Sequence, residues 1–376
     1  KLLGEILAGE TKRIGLGVMD MSSHDFDEGG CSAAVLISES HVCAHTWPEK
    51  DGLILVDVST CNYNEDNFEK AKQLVARLEK ALEAEYALVE HMNYTPRFAE
   101  KRLPGQGVWI EAKRILVDKS SPYQRIQVIE TEGSGRTLIL DGLYQIAEED
   151  EVFYHEPLVH PPLLASDDPA EVMVIGGGDG GSLKHILLHP GVKHVDLVEI
   201  DNEVIEASKI WLETVHGGAF DDPRVHVRAA DAFTVLDEME RKYDVIILDL
   251  TDPVGPCKRL FTEDFLSKVA GALKPGGFAS CHFDFPICQS DLSRRAYEAA
   301  KGAFNHVSVY ASFVPLYATL MCFGLLSNDR DPETLLDEMA GRLKERGLTK
   351  LDVISPGTIK GMFAIPPRIK KLLGIR

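Results

Sequence analysis

The chain has 376 residues, of which 44% are apolar, so it is long enough to bury the cores of about two or three ordinary domains. Its 59 acidic residues outnumber its 40 Lys and Arg residues, and the formal net charge is −19. This charge argues against nucleic acid and anionic membranes as partners, because their phosphates would be repelled. Small cationic molecules would be attracted instead.

Cysteine usage and hydropathy predict a protein of the reducing cytoplasm. The seven cysteines include no CxxC pair, so neither a zinc ribbon nor a dithiol redox motif is predicted. No apolar run approaches about 18 residues, and no signal-peptide pattern is present. We therefore expect a cytoplasmic protein, and we predict no metal site.

The N-terminal part has the pattern of a small α+β domain. Apolar segments at residues 32–38 and 53–59 predict two strands, residues 65–85 carry a helical apolar face, and residues 86–90 predict a third strand. We expect this domain to cover residues 1–98. The sequence RLPGQG then predicts a linker or turn over residues 99–107.

The rest of the chain changes pattern twice. Residues 108–165 open with short β segments separated by turn sequences, which is typical of hairpins. Residues 166–376 alternate strands and helices, which predicts a Rossmann-like, doubly wound parallel sheet with its site at the carboxyl ends of the strands. The predicted fold class is therefore a multidomain α/β and α+β protein.

A glycine loop follows the first strand of this alternating region. The sequence GGGDGG begins at Gly176, includes Gly178 and Asp179, and leads directly into a helix, as a nucleotide-binding loop does. Asp179 would repel a pyrophosphate at the helix N-terminus and would suit a cation. The next two strands end at Glu199, placed to bond ribose hydroxyls, and Asp231, placed to bond an adenine amino group. Acids at three strand ends favour a cationic adenosyl ligand such as S-adenosylmethionine, although each could instead cap a helix.

Two further carboxylates follow the fourth strand. Asp249 and Asp252 lie three residues apart in the sequence LDLTDP. An amine with a pKa near 10 is protonated at neutral pH, so an amine acceptor must be bound as a cation and then lose a proton before it can attack. This pair of carboxylates disfavours methyl transfer and favours transfer to an amine.

Several ordered motifs from about residue 105 onward resemble the aminopropyltransferases of the spermidine synthase family. They are YQRIQV at 123–128, LDGLYQIAEEDEVFYHEPLVHPPL at 140–163, GGGDGG, VEID, DLTDPVGP and PLY at 315–317. The resemblance implies transfer of the aminopropyl group of decarboxylated S-adenosylmethionine to a polyamine nitrogen, with release of methylthioadenosine. It implies an in-line displacement helped by one proton removal.

The same resemblance implies a role for each matching residue. Asp249 would be the base, with Tyr154 beside it. Asp252 would hold the acceptor, and its channel would be lined by Gln145, Tyr154 and Tyr317. Asp179 would hold the donor's propylamine, and the rest of the donor would be bound by Gln124, Glu199, Asp231 and the loop glycines Gly176 and Gly178. The sequences DLTDP, PLYATL and CHFDFPIC depart from the usual family patterns, so Asp284 could contact an acceptor nitrogen or be a solvated loop residue. Putrescine is the default acceptor, with agmatine or a longer amine as alternatives.

The segment HDFDEGGCSAAVLISESHVCAHTWPE, followed by VDVSTC, resembles the small prokaryotic-type S-adenosylmethionine decarboxylases over about residues 15–92. The resemblance implies self-cleavage between Glu39 and Ser40, which leaves a pyruvoyl group whose carbonyl drains electrons from the substrate during decarboxylation. It implies that His45 assists cleavage and Cys61 returns a proton. Glu49 and Phe26 would contact the substrate.

Together these resemblances predict a bifunctional polyamine enzyme, in which the first domain makes the aminopropyl donor and the second uses it. The residues after Glu49, KDGLILVDVSTCNYN, differ from the family pattern and leave ornithine or arginine open as the decarboxylated substrate. A non-catalytic N-terminal module is a further alternative. Both families usually form oligomers, so we expect a homodimer or homotetramer.

Overall fold

The computed structural model describes residues 2–27, 29–38, 40–60, 67–90, 96–239, 242–252 and 255–375. The chain divides into two compact units, Lys1–Tyr94 and Thr95–Arg376. Among the described residues, no helix is both long enough and apolar enough to cross a membrane.

The first unit is a four-stranded antiparallel sheet with two helices. Its elements are α1 (Leu2–Arg13), β1 (Val18–Asp25), β2 (Cys31–Ile37), β3 (Ser40–Trp47), β4 (Leu53–Thr60) and α2 (Phe68–Ala81), and the strand order follows the chain. The two helices contact each other and pack on one face of the sheet, where Leu7, Val35, Val42 and Leu74 are fully buried. The alternation of strand side chains leaves the opposite face open.

Two strand predictions for this unit were incomplete or wrong. The sequence from Ser40 to Trp47 was not predicted as a strand, but it is one and pairs with both β2 and β4. Its inward positions are taken by Val42 and Ala44, so a short apolar alternation was hidden among polar residues. Residues 86–90 form no strand, and they are exposed.

The second unit begins with a five-stranded antiparallel sheet in chain order. Its strands are β5 (Arg97–Leu103), β6 (Gln106–Ser120), β7 (Arg125–Thr131), β8 (Arg136–Leu140) and β9 (Leu143–Ala147). The predicted linker at 99–107 is therefore wrong, because this segment is the β5–β6 hairpin with a turn at Gly105, where φ is +75°. Glu100 on β5 is buried, so this hairpin is packed against other residues of the unit.

A seven-stranded sheet follows, in the order β12-β11-β10-β13-β14-β16-β15. Its strands are β10 (Glu171–Gly176), β11 (His194–Glu199), β12 (Val225–Ala229), β13 (Tyr243–Asp249), β14 (Leu273–His282), β15 (His306–Val314) and β16 (Thr319–Ser327). The first five are parallel to one another, and β15 and β16 form an antiparallel hairpin at one edge. The prediction of a doubly wound sheet is confirmed, with this hairpin as an addition.

Helices cover both faces of the larger sheet. They are α3 (Val152–Ala165), α4 (Gly181–Ile186), α5 (Asn202–Trp211), α6 (Glu213–His216), α7 (Ala232–Asp237), α8 (Glu263–Ala272), α9 (Ser290–Ala303), α10 (Leu336–Glu345), α11 (Pro356–Met362) and α12 (Pro367–Leu373), with 3₁₀ turns at Ala219–Asp221, Gly255–Phe261, Pro315–Tyr317 and Pro332–Leu335. Residues 331–375 fold into helices and turns.

The central helix α3 is buried almost throughout and contains three prolines. Pro161 and Pro162 have no N–H, so the carbonyls of Pro157 and Leu158 lose their helical donors. The hydroxyl of Tyr310 donates to the Pro157 carbonyl at 2.8 Å, and the hydroxyl of Ser280 donates to the Leu158 carbonyl at 2.7 Å. The adjacent sheet thus supplies the donors that the prolines remove, and it fixes the helix that carries Tyr154.

We expect Tyr310→Phe to lower the free energy of unfolding of the larger unit by about 1–3 kcal/mol, because it leaves a buried carbonyl without a donor. Urea unfolding followed by fluorescence measures this change. Tyr297→Phe is the matched control, since the Tyr297 ring is buried but its hydroxyl has no hydrogen bond to the described residues. Equal stability of the two variants would contradict this account of α3.

Candidate active site

The two central strands of the parallel sheet position the site. Gly176 at the end of β10 lies opposite Asp249 at the end of β13, and the chain runs from β10 toward β11 on the other side. This is a point where the strand order reverses, and such points open a crevice at the carboxyl edge of a sheet. A cavity occupies this crevice in the second unit.

All the residues predicted for donor and acceptor binding line this one cavity. They are Gln124, Gln145, Tyr154, Gly176, Gly178, Asp179, Glu199, Asp231, Asp249, Asp252 and Tyr317. Because these residues come from strands, loops and a helix far apart in the chain, their convergence is a property of the fold.

Within the glycine loop, Gly176 requires glycine and Gly178 is closely packed. Gly176 has φ of +81°, and a Cβ there would overlap the carbonyl oxygen of Asp249. A Cβ on Gly178 would lie 3.0 Å from Val204 and 3.2 Å from Glu199, which is tight packing. The missing side chains therefore let the loop approach β13 and leave room for a ligand beside Glu199.

Asp249 is buried and held by two hydroxyl donors. The Tyr154 hydroxyl donates to Oδ1 at 2.8 Å, and the Ser182 hydroxyl donates to Oδ2 at 2.7 Å. Burial, with the negative charge of Asp179 as the next cause, raises the pKa of Asp249. A carboxylate with a raised pKa in a cavity is suited to accept a proton near neutral pH. Ser182 is the second residue of α4, directly after the glycine loop, and it was not identified from the sequence.

A buried network behind Asp249 was also missed. His155 Nδ1 lies 2.7 Å from Glu151 Oε2, and its Nε2 lies 3.4 Å from Asp179 and 3.9 Å from Asp249. Asp179 and Glu151 raise the pKa of His155 despite its burial, so a positive charge there would offset the acids around it. Glu151 and His155 form a triad with His185 that has the spacing of a metal site, but Lys184 Nζ is already 2.6 Å from Glu151. The contacts favour a charge network.

Asp231 and Glu199, at the ends of the neighbouring strands, line the cavity and also accept hydrogen bonds from backbone N–H groups. Asp231 accepts from the Phe233 N–H as a helix cap and pairs with Arg259 at 3.0 Å, so the helix-cap alternative holds for it while it also lines the cavity. Glu199 accepts from the Asp201 N–H at 2.8 Å, and burial raises its pKa to about 7. Gln124 donates to Asp201 at 2.9 Å.

Asp252, Gln145 and Tyr317, which are predicted to bind the acceptor, also line this cavity, and the part beside them is called its acceptor end. The Tyr317 hydroxyl donates to the Gln145 carbonyl. Burial, followed by the charge of Asp284, raises the pKa of Asp252 to about 7. Asp284 is fully buried and lies 2.6 Å from His282, so its description as a solvated loop residue is wrong.

A second buried ion pair lies behind this end of the cavity. Arg102 Nη1 is 2.7 Å from Glu100 Oε1, and both side chains are almost fully buried. The guanidinium lies over the rings of Phe285 and Tyr317, at 4.6 and 5.3 Å from their centroids. Both charged residues fall in the segment predicted as a linker. The alternation of Phe98, Glu100 and Arg102 was the sequence signal for a strand.

In the first unit, Ser40 begins β3 beside an imidazole that the sequence did not single out. Its hydroxyl lies 3.2 Å from His41 Nδ1, and His41 Nε2 lies 3.2 Å from Asp57. His45 Nδ1 instead lies 2.7 Å from the hydroxyl of Ser32. The predicted cleavage partner Glu39 and the predicted proton donor Cys61 lie outside the described residues.

The other predicted decarboxylase residues lie at the surface of the first unit. Phe26 is about half exposed and contacts the ring of His24, and Glu49 is exposed in the turn after β3. The open face of the sheet, which carries His41 and His45, also has the exposed apolar side chains Leu36, Leu53 and Leu55.

Comparisons with known families match the chain in three segments. Residues 1–93 match S-adenosylmethionine decarboxylase, residues 97–148 match the spermidine synthase tetramerisation domain, and residues 151–337 match the spermine/spermidine synthase domain.

Individual proteins agree with these matches. The chain is 38% identical over 271 residues to a polyamine aminopropyltransferase of Nitrosomonas europaea, which covers 72% of this chain and 83% of that protein. It is 35% identical over 277 residues to that of Bacillus subtilis, which covers 73% of this chain and 98% of the relative.

Two solved structures are also similar to this chain. A spermidine synthase from Thermotoga maritima matches with a TM-score of 0.71, and a spermidine synthase in complex with the transition state analogue AdoDATO matches with a TM-score of 0.72. Each shows 30% identity and covers 78% of this chain and 99% of the solved chain. The chain therefore belongs to the polyamine aminopropyltransferases of the spermidine synthase family, and it carries an S-adenosylmethionine decarboxylase domain ahead of that enzyme.

Proposed function

We propose that the chain is a bifunctional polyamine enzyme. The first unit decarboxylates S-adenosylmethionine, and the second transfers the resulting aminopropyl group to putrescine to form spermidine and methylthioadenosine. The observation that carries the transfer half is that one cavity is lined by Glu199 and Asp231, by Asp252 and by Asp249. Both reactants are cations, and these carboxylates provide a field that attracts them.

The transfer step needs a neutral amine next to the donor's sulfonium-bound carbon. Asp249 takes one proton from the bound ammonium, and the freed lone pair attacks that carbon. The carbon–sulfur bond breaks, and its electron pair leaves with methylthioadenosine. Tyr154 and Ser182 fix both carboxylate oxygens of Asp249, so the base is oriented before the acceptor binds.

The donor would lie along the ends of β10, β11 and β12. Glu199 is placed to bond the ribose hydroxyls, Asp231 the adenine amino group, and Asp179 the donor's own ammonium. Gln124 would close the nucleoside end. Asp179 and Asp249 would thus hold two cations on either side of the reacting carbon.

Asp249→Asn is expected to lower kcat for aminopropyl transfer by about 10²–10⁴-fold, because the amide keeps the shape of the carboxylate but cannot take the proton. Chromatography of the amine product measures the rate. Calorimetry should show that methylthioadenosine still binds. Asp237→Asn on the protein surface is the matched control, and a full rate with Asp249→Asn would contradict the role of the base.

The acceptor's KM should rise as pH falls below about 7. Asp252 has its pKa raised to about 7, so it loses its charge below that pH, while the amine stays protonated throughout. Steady-state assays between pH 8 and pH 6 measure this dependence. Asp252→Asn should raise KM at pH 8 and flatten the profile, whereas Asp291→Asn at the surface should change neither. An unchanged profile in Asp252→Asn would contradict the role of Asp252 in acceptor binding.

For the first unit, we propose self-cleavage between Glu39 and Ser40. The Ser40 hydroxyl attacks the carbonyl of Glu39, and the peptide bond becomes an ester. Elimination then releases the Glu39 carboxylate and leaves dehydroalanine at position 40. Its imine tautomer is hydrolysed by water with release of ammonia, which leaves a pyruvoyl group at the new N-terminus. That group supplies the carbonyl that accepts electrons during decarboxylation. The described residues fit this role, because Ser40 starts β3 and is contacted by His41, which Asp57 orients.

A homo-oligomer is part of this proposal. The open sheet face of the first unit combines imidazoles with exposed Leu36, Leu53 and Leu55, and a second copy covering this face would bury these apolar side chains. The match of residues 97–148 to a tetramerisation domain supports assembly through the second unit as well.

Intact mass spectrometry of the purified protein should show two chains that separate before Ser40. Ser40→Ala should remain a single chain near 41.5 kDa, because it lacks the attacking hydroxyl. His41→Ala should slow the splitting, since it removes the imidazole that contacts this hydroxyl, and Ser23→Ala on β1 should split normally. A wild-type protein that stays intact would instead support a non-catalytic N-terminal module.

A second candidate concerns only the first reaction. The residues KDGLILVDV that follow Glu49 form the end of the turn and strand β4, whose outward side chains face the same side as His45. Their departure from the family pattern favours a changed substrate, which would be ornithine or arginine. In that case the first unit supplies the acceptor amine or its precursor.

A further inference from the structure

Arg102 is a buried cation that the transfer reaction does not use. Its side chain is 6% exposed, and its partner Glu100 is 3% exposed. Within the described part of the chain, the Nε and Nη2 atoms of Arg102 are buried without a hydrogen-bond partner. Burying a guanidinium with unmet donors is costly, so a hydrophobic residue would be the more stable choice at a purely structural position.

The position of Arg102 relates it to the acceptor. Its guanidinium stacks on the ring of Tyr317, whose other surroundings include Gln145 and the acceptor end of the cavity. The charges of Glu100 and Arg102 both act on Asp252, which lines that end. Arg102 therefore lies directly behind the cavity wall, within electrostatic range of the residue proposed to hold the acceptor.

The charge balance behind the wall indicates what Arg102 does there. Glu100 accepts from the Tyr144 N–H at 2.9 Å and from Arg102, so its negative charge is already compensated. Without Arg102, Glu100 would be a buried carboxylate that attracts a further ammonium. With Arg102 present, an additional ammonium at this place would be repelled by the positive charge of the guanidinium.

We propose that Arg102 determines the acceptor's length: from behind the cavity wall it neutralises Glu100, so the enzyme accepts a short diamine and rejects a longer triamine. This inference rests on the proposed aminopropyl transfer to an amine. It assigns Arg102 a specificity role, in which the residue acts through Tyr317 and Glu100.

The test compares putrescine and spermidine as acceptors, with decarboxylated S-adenosylmethionine as donor. Wild-type protein should prefer putrescine. Arg102→Met, which keeps the length and stacking of the side chain but removes its charge, should raise kcat/KM for spermidine relative to putrescine at least tenfold. Arg102→Gln, which can still donate to Glu100, is the second variant if the first does not fold, and it should shift the ratio in the same direction.

Arg97→Met is the matched control. Arg97 lies on the same strand, stacks on Trp109 and pairs with Glu111, but its side chain is 62% exposed. Its replacement should leave the acceptor ratio unchanged. The double variant Arg102→Met with Glu100→Gln should lose the gain for spermidine, because no carboxylate is left to hold the extra ammonium.

The outcomes separate this inference from the function on which it rests. A folded Arg102 variant with the wild-type acceptor ratio would overturn the inference alone. A gain for spermidine that persists in the double variant would overturn the charge pairing with Glu100. Wild-type protein that transfers to neither amine would overturn both the inference and the proposed transfer.

Discussion

The carboxylate of Asp249, buried at the point where the strand order reverses, is the constraint on which the site depends. A buried carboxylate is costly unless it is hydrogen-bonded or neutralised. Two hydroxyls bond it, and His155 lies near enough to offset its charge. Asp179, Glu199 and Asp252 add further negative charge around the same cavity, so the site is best compensated by cationic ligands.

The scaffold is arranged around that carboxylate. Gly176 must lack a side chain because the Asp249 carbonyl occupies the place of a Cβ, and the Tyr154 hydroxyl reaches Asp249 only because α3 is fixed. That helix contains prolines whose lost backbone bonds are replaced by Tyr310 and Ser280 from the adjacent sheet. Packing far from the ligand thus sets the position of the proposed base.

Much of the larger unit could be predicted from the sequence. Its strands and helices alternate in a regular pattern, and the functional acids lie at strand ends, where parallel topology brings them to one edge of the sheet. The predictions failed where local pattern was weak. β3 in the first unit places only Val42 and Ala44 inward among polar residues, and β5 was mistaken for a linker because its buried residues are charged.

The missed site residues share a physical reason. Ser182, His155, Glu100 and Arg102 are defined by contacts with residues distant in sequence, and nothing local distinguishes them from ordinary helix or strand positions. The same applies to His41, whose role follows from its contact with Ser40 and with Asp57 on the neighbouring strand. Motif spacing in the sequence identifies functional residues that lie close together along the chain. The residues that hydrogen-bond or pair with them are identified only from the folded structure.

The most direct test of the account is a product balance with one purified protein. The protein is supplied with carboxyl-labelled S-adenosylmethionine and putrescine, and labelled carbon dioxide, spermidine and methylthioadenosine are measured together. The account predicts all three, with spermidine and methylthioadenosine formed in equal amounts and no more of either than the labelled carbon dioxide. Label released only from ornithine or arginine in parallel incubations, with no spermidine formed from S-adenosylmethionine, would contradict it.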